Sequence, residues 1–308
     1  MLKFLVGRVI QGIIVLFGAS ILIFAMVRST GNPVALLLPP EATAEQMAAM
    51  THALGLDKPL YDQYAIFVGR AAHGDFGTSL QLQQPVLQLL GQRLPNSLKL
   101  AGLALFFGLL IGVPLGVLAA QHRGGWVDQA ASGIATIGQS IPSFWLAILL
   151  VAILSGELHL LPAARATGPA NYVLPVLALT LTGFLLSGTI RFVRSGMLDV
   201  MNLDYVKVAR AKGLSERTVI WRHALRNALI PLVSFLGFYV TLLVGGVSLA
   251  VELVFAWPGL GPLLYDSVLA RDFPVVQAVV IVYVTGFVVM SIVVDLLYAV
   301  LDPTVSLR

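Results

Sequence analysis

Apolar residues gather in six long blocks, residues 9–27, 98–120, 130–154, 172–192, 228–254 and 274–301, with polar stretches between them. A helix crosses about 30 Å of hydrocarbon with roughly 20 apolar residues, so each block predicts one transmembrane helix. Because lipid offers no water to unpaired backbone groups, helical spans are the arrangement such blocks can adopt. The expected fold class is an all-α membrane protein with six transmembrane helices. Gly245-Gly246 and Gly286 mark expected breaks in the last two spans, and Pro114 an expected kink in the second. Block 9–27 is longer than the roughly 7–15 apolar residues of a secretory signal, and no small-x-small cleavage site follows it; it is expected to remain as the first span.

Composition agrees. Of 308 residues, 58% are apolar and 11% charged, against about a quarter charged in soluble domains, and the mean hydropathy is +0.90. Zero cysteines exclude disulfides, Cys-ligated zinc and thiol chemistry. The net charge of +4 is no nucleic-acid signal, because most of the excess sits in one loop. That loop holds Arg191, Arg194, Lys207, Arg210, Lys212, Arg217, Arg222 and Arg226 against Asp199, Asp204 and Glu216. The long first loop, residues 31–96, carries Lys58, Arg70 and Arg93 against Glu41, Glu45, Asp57, Asp62 and Asp75. Lysine and arginine are retained on the cytoplasmic side. The basic loop and both termini are therefore expected in the cytoplasm, and loops 31–96, 156–171 and 256–273 outside.

The basic loop is a polar island between two apolar blocks. Residues 203–212 predict a short helix and Gly213 a left-handed C′ position. Ser215 then caps a second helix, with Glu216 opposing its positive dipole end. The unit is expected to present Val208, Ala211 and Leu214 among basic residues. It can lie on anionic lipid or dock into a protein groove; the glycine hinge and small Ala209 favour docking.

Other candidate chemistry is thin. Gly69-Arg-Ala-Ala-His-Gly74 has the spacing of a phosphate loop, but Asp75 and Phe76 stand where Lys and Ser/Thr are required. Gly138-Gln-Ser140-Ile-Pro142 lacks the second glycine of a hydrolase elbow. His52, His73, His122, His159 and His223 fall in loops or at span edges and have no metal-ligand spacing. Charges inside spans are functional candidates by default; here they are Glu252 and Asp295, with Glu252 expected either to line a path or, with more weight, to hold a re-entrant backbone. Ala104, Gly108, Gly112, Gly116 and Ala120 form a small-residue row that suits close helix packing, within the chain or against a partner.

Motifs spread along the chain resemble one family. They include Leu54-Gly-Leu-Asp-Lys-Pro-Leu-Tyr61, Gly74-Asp-Phe-Gly-Thr-Ser79, Arg93-Leu-Pro95, Gly112-Val-Pro-Leu-Gly116 and Ser140-Ile-Pro-Ser-Phe-Trp145. They continue with Ala209-Arg-Ala-Lys-Gly213-Leu-Ser, His223-Ala-Leu-Arg-Asn-Ala228, Val254-Phe-Ala-Trp-Pro-Gly-Leu-Gly261, Arg271-Asp-Phe-Pro274 and Asp302-Pro303. In this order they resemble a permease subunit of the peptide/nickel group of type I ABC importers. Lys207, Val208 and Arg226 depart from the broader importer consensus in the manner of the peptide group, and Gly31-Asn-Pro33 resembles the nickel and metal-chelator members equally.

The resemblance implies a bacterial inner-membrane, multi-pass subunit that performs no chemistry and holds no cofactor, ATP and magnesium belonging to partner subunits. It implies a second, homologous permease, two ATPases and an extracytoplasmic solute-binding protein. The cargo is a di- or oligopeptide or a nickel or metal-chelate solute; the alternative is an ion-gradient-driven secondary transporter. Expected divisions are residues 1–93 (first span and outer loop), 94–299 (transmembrane core, with coupling region 196–228) and 300–308 (cytoplasmic tail). Ala209, Arg210, Ala211, Gly213, Leu214 and Leu225 are the implied ATPase-coupling residues. Ser140, Pro142, Glu252, Gly259 and Gly261 are the candidates for a translocation path or gate.

Overall fold

The computed structural model describes residues 2–29, 34, 42–53, 55–163 and 168–301, with side chains between residues 5 and 297. Gly31-Asn-Pro33, Leu54, Ala164, Thr167 and the 302–308 tail, with its Asp302-Pro303 motif, lie outside the described residues. The described chain is helical throughout its regular structure. Its elements are α1 (Leu2–Ser29), α2 (Ala44–Ala53), α3 (Leu60–Ala72), α4 (Val86–Gln121), α5 (Trp126–Ser140) and α6 (Ser143–Leu150). Then come α7 (Val173–Leu181), α8 (Leu185–Val200) and α9 (Asp204–Ala211). The chain continues with α10 (Glu216–Thr218), α11 (Ile230–Leu242), α12 (Leu249–Val254), α13 (Leu260–Leu269) and α14 (Phe273–Leu301). Wider π-type turns extend α6 through Val151–Glu157 and carry α10 through Val219–Ala224 toward Leu225–Ala228.

Among the described residues four helices are long and apolar enough to cross a membrane, and taking each of two bent pairs as one span brings the total to six. The spans are thus not all the continuous helices the apolar blocks predict. The third is bent by 100° between α5 and α6: Pro142 lacks the N–H that would continue α5 and drives Ile141 into extended backbone, φ −93° and ψ 122°. The fourth is bent by 50° between α7 and α8, where Thr182 is extended and Gly183 has φ +66°. The two bends touch, because the Gly183 N–H donates to the Gly138 carbonyl at 3.0 Å. The fifth span breaks where expected, at Gly246 with φ +102°. Gly286 makes no break; α14 runs through it, and the missing side chain admits Val244.

The loop between the first two spans is shorter than block spacing implies. Helix α4 begins at Val86 instead of residue 98 and remains helical through both Pro95 and Pro114. Within the loop, α3 folds back on α1: Tyr64 meets Phe17 and Phe24 edge-on, and its hydroxyl lies 2.7 Å from Ser20 Oγ.

Helix α8 lies along α4, and the small-residue row explains how. A Cβ on Gly108 would stand 2.6 Å from Leu185, one on Gly112 2.7 Å from Thr189, and one on Gly116 2.7 Å from Val193. Leu185, Thr189 and Val193 recur every fourth residue, so one ridge of α8 seats in the groove that the small residues leave on α4. The row packs within the chain. Similar close approaches join α1 to α14 at Gly12 and Val288.

Candidate functional site

The polar island folds as a helical hairpin. Gly213 adopts φ +77°, which turns α9 into α10 at a place where a side chain would be conformationally strained. The Ser215 hydroxyl accepts the Thr218 N–H at 3.4 Å and caps α10. Arg210 donates from Nε to Glu216 Oε1 at 2.8 Å, clipping the two helices across the turn. Asn227 Nδ2 donates to Tyr205 Oη at 2.7 Å, closing the other end.

One face of the hairpin belongs to the protein's own core. Val206, Ala209, Val219, Ile220, Ala224 and Leu225 bury against Val193, Met197 and Val200 of α8 and against Val117 and Ala120 of α4. The sequence-assigned coupling set therefore divides. Ala209 is 6% exposed and Leu225 8%, and both fasten the hairpin to the spans instead of facing outward. Arg210, Ala211, Gly213 and Leu214 face out, with Val208 52% and Leu214 40% exposed. An apolar pair amid basic side chains is thus offered on a rigid base. The seam to the spans is tight: a Cβ on Gly196 would overlap the Ala228 carbonyl.

The path candidates also divide. Glu252, Gly259 and Gly261 come together. Glu252 is fully buried; its Oε2 accepts the Gly261 N–H at 2.8 Å and its Oε1 the Ser248 hydroxyl at 2.9 Å. A Cβ on Gly259 would overlap Glu252 Oε2 and the Ser97 hydroxyl, so glycine there lets the carboxylate reach the start of α13. Ser97 Oγ accepts the Leu260 N–H at 2.9 Å, and Trp257 Nε1 donates to the Asn96 carbonyl at 3.2 Å. In this structure Glu252 holds a backbone turn that rests against α4. Ser140 and Pro142 sit apart from that cluster, at the bend between α5 and α6, where Ser140 Oγ donates to the Thr136 carbonyl at 2.9 Å.

Two pairings have no counterpart in the sequence reading. Asp272 accepts from Ser79 Oγ at 2.5 Å, Leu80 N at 3.1 Å and Gln81 N at 3.2 Å, tying the turn before α4 to the start of α14. Arg194 grips Asp128, joining α8 to α5. Both motifs that hold Ser79 and Asp272 stand out in the sequence, but their contact across 193 residues does not. Among the described residues no group of three or more His, Cys, Asp or Glu is placed to hold a metal ion.

Comparison with known proteins agrees along the whole chain. Residues 112–307 match the family described as binding-protein-dependent transport system inner membrane component, and residues 1–101 match its N-terminal component. The glutathione transport system permease protein GsiC of Escherichia coli (strain K12) is 39% identical over 309 residues, with 100% of each chain covered. GsiC of Shigella dysenteriae serotype 1 gives the same figures. Among solved structures, the MetNI methionine ABC transporter in an inward-facing conformation matches with a TM-score of 0.52 at 22% identity, over 70% of this chain and 97% of that one. That likeness speaks to the fold alone. The chain belongs to the binding-protein-dependent transport system inner membrane component family, as a permease subunit of a type I ABC importer.

Proposed function

We propose that this permease imports small peptides, glutathione or a close analogue among them, handed over by an extracytoplasmic binding protein. The observation that carries the cargo class is the 39% identity with a glutathione permease over the full length of both chains. In this reading a second, homologous permease completes the pathway, and two ATPases dock on the outward face of the α9–α10 hairpin. The hairpin is cytoplasmic, as are both termini, consistent with its excess of arginine and lysine.

The packing suits such a transmission. The hairpin is built into the core formed by α4 and α8, so a displacement imposed at Val208 and Leu214 reaches the spans without a flexible joint between. An ion-gradient mechanism finds less support, because Glu252, Asp128 and Asp295 are all engaged: Glu252 by Gly261 and Ser248, Asp128 by Arg194, and Asp295 by Arg8 at 2.9 Å.

The deciding experiment reconstitutes the importer with its binding protein in vesicles and follows labelled glutathione, a dipeptide and a nickel chelate. Uptake of a peptide that requires both ATP and the binding protein is expected. Uptake of the chelate alone would move the cargo to metal complexes, and uptake that persists without ATPases but follows an ion gradient would overturn the reading.

A further inference from the structure

An open groove of about 370 Å³ lies where the two bent spans meet α11, lined by Gln139, Phe184, Ser187, the exposed Arg191 and Ser195, and by Phe235 of α11. Arg191 dominates it chemically. From α8 its guanidinium reaches across to α5, donating from Nη1 to Gln139 Oε1 at 2.7 Å and from Nη2 to Thr136 Oγ1 at 3.2 Å. Both acceptors are neutral. Among the described residues no carboxylate lies within ion-pair distance of it, whereas Arg194, one turn on, is fully paired with Asp128. The remaining N–H groups of Arg191 have no acceptor among the described residues.

A cation beside apolar spans is stabilised by a partner anion, and a guanidinium held from one side presents its free edge as a fork that matches a carboxylate. The surroundings suit the rest of a peptide. Ser187 and Ser195 lie four residues to either side of Arg191, on the same helix face. The Ser187 hydroxyl donates to the Gly183 carbonyl at 2.8 Å, which leaves its lone pairs to accept an N–H. Phe235 stacks on Phe192 with ring centroids 5.0 Å apart and supplies an apolar wall.

We propose that Arg191, flanked by Ser187 and Ser195, forms a transient subsite for a carboxylate of the transported solute, between the two bent spans. The inference rests on the peptide reading above and names the group by which the permease itself handles its cargo. Neutral, exchangeable partners on α5 suit a pathway, since bound solute must also leave.

The cysteine-free chain permits a direct test in the complete importer held in nanodiscs. Ser195→Cys is labelled with a neutral thiosulfonate in the presence of the thiol-free tripeptide γ-Glu-Ala-Gly or its fully amidated form. The free acid is expected to slow labelling about fivefold or more and the amide not to. Arg191→Gln should abolish that protection and lower free-acid transport roughly tenfold, as loss of a charged hydrogen-bond partner does, while Arg191→Lys restores part of both. Co-purification with the ATPases establishes that each variant assembles. Equal protection by acid and amide, or protection that survives Arg191→Gln, overturns the subsite. So does protection that follows anionic lipid in the nanodisc, or the presence of the second permease, regardless of solute; the anion would then be a lipid phosphate or a partner side chain. Peptide transport at the wild-type rate in Arg191→Gln removes the subsite and leaves the peptide function standing. Acid-specific protection in an importer that carries no peptide does the reverse.

Discussion

Arg194 clasps Asp128 through two parallel bonds, Nε to Oδ1 at 2.5 Å and Nη2 to Oδ2 at 2.8 Å, and thereby fixes the start of α5 to the middle of α8. The partners are unequally placed. The Asp128 side chain is 7% exposed and that of Arg194 30%. Removing one member of a buried pair costs roughly 3–5 kcal/mol, mostly for the charge left behind. Arg194→Met, which strands the more buried charge, should therefore lower thermal stability in detergent more than Asp128→Asn. An equal or reversed order in melting temperature would contradict this account.

The Glu252 cradle makes a second contrast. Glu252→Gln keeps an acceptor for the Gly261 N–H and can rotate its amide to serve Ser248, so it should cost about 1 kcal/mol. Glu252→Leu orphans both groups and should cost more. Gly259→Ala pushes a methyl group into the carboxylate and should destabilise by about 1–3 kcal/mol. Thermal unfolding of the purified permease ranks the three; a Gly259→Ala protein as stable as wild type would show that the turn is not tightly held.

In the hairpin, burial separates folding from docking. Gly213→Asn tolerates the left-handed backbone and should keep coupling, whereas Gly213→Val should lose ATPase association while the protein still reaches the membrane. Ala209→Asp places a charge in the chain's own core and should lower stability as well as transport. Leu214→Ser touches only the outward face and should weaken ATPase co-purification with melting temperature unchanged. Full co-purification of Gly213→Val and Leu214→Ser would remove the hairpin as the docking element.

Sidedness is checked on single cysteines in the cysteine-free chain. Asp57→Cys and Ala164→Cys should react with an impermeant maleimide added to intact cells, and Lys212→Cys only after lysis. External labelling of Lys212→Cys would invert the topology.

The spans are legible in the sequence because hydrocarbon thickness sets the length of an apolar block, and Gly213 is legible because few residues adopt its backbone angle. The bends at Ile141-Pro142 and Thr182-Gly183 are not, since a proline or glycine alone does not decide a break: α4 stays helical through Pro95 and Pro114, and α14 through Gly286. Nor do periodicity and charge encode which distant groups meet. Ser97 with Leu260, Ser79 with Asp272, and Arg194 with Asp128 are products of tertiary packing. The burial of Ala209 lies between these cases: Val206 and Ala209, three residues apart, mark an inward stripe on α9, but only the fold shows that the stripe faces the protein's own spans.

Helix α4 has 36 residues, so at 1.5 Å per residue it is a rod of about 54 Å, well beyond the ~30 Å of hydrocarbon. Val117 and Ala120 near one end pack with the hairpin, and Val86, Leu89 and Leu90 at the other pack with Leu260 and Leu263. Such a rod converts angle into distance: tilting it by one degree about one end moves the other by about 1 Å. A modest rotation at the hairpin would thus be magnified into a displacement at the opposite surface comparable to the width of a side chain, with no relay of rotamer changes in between.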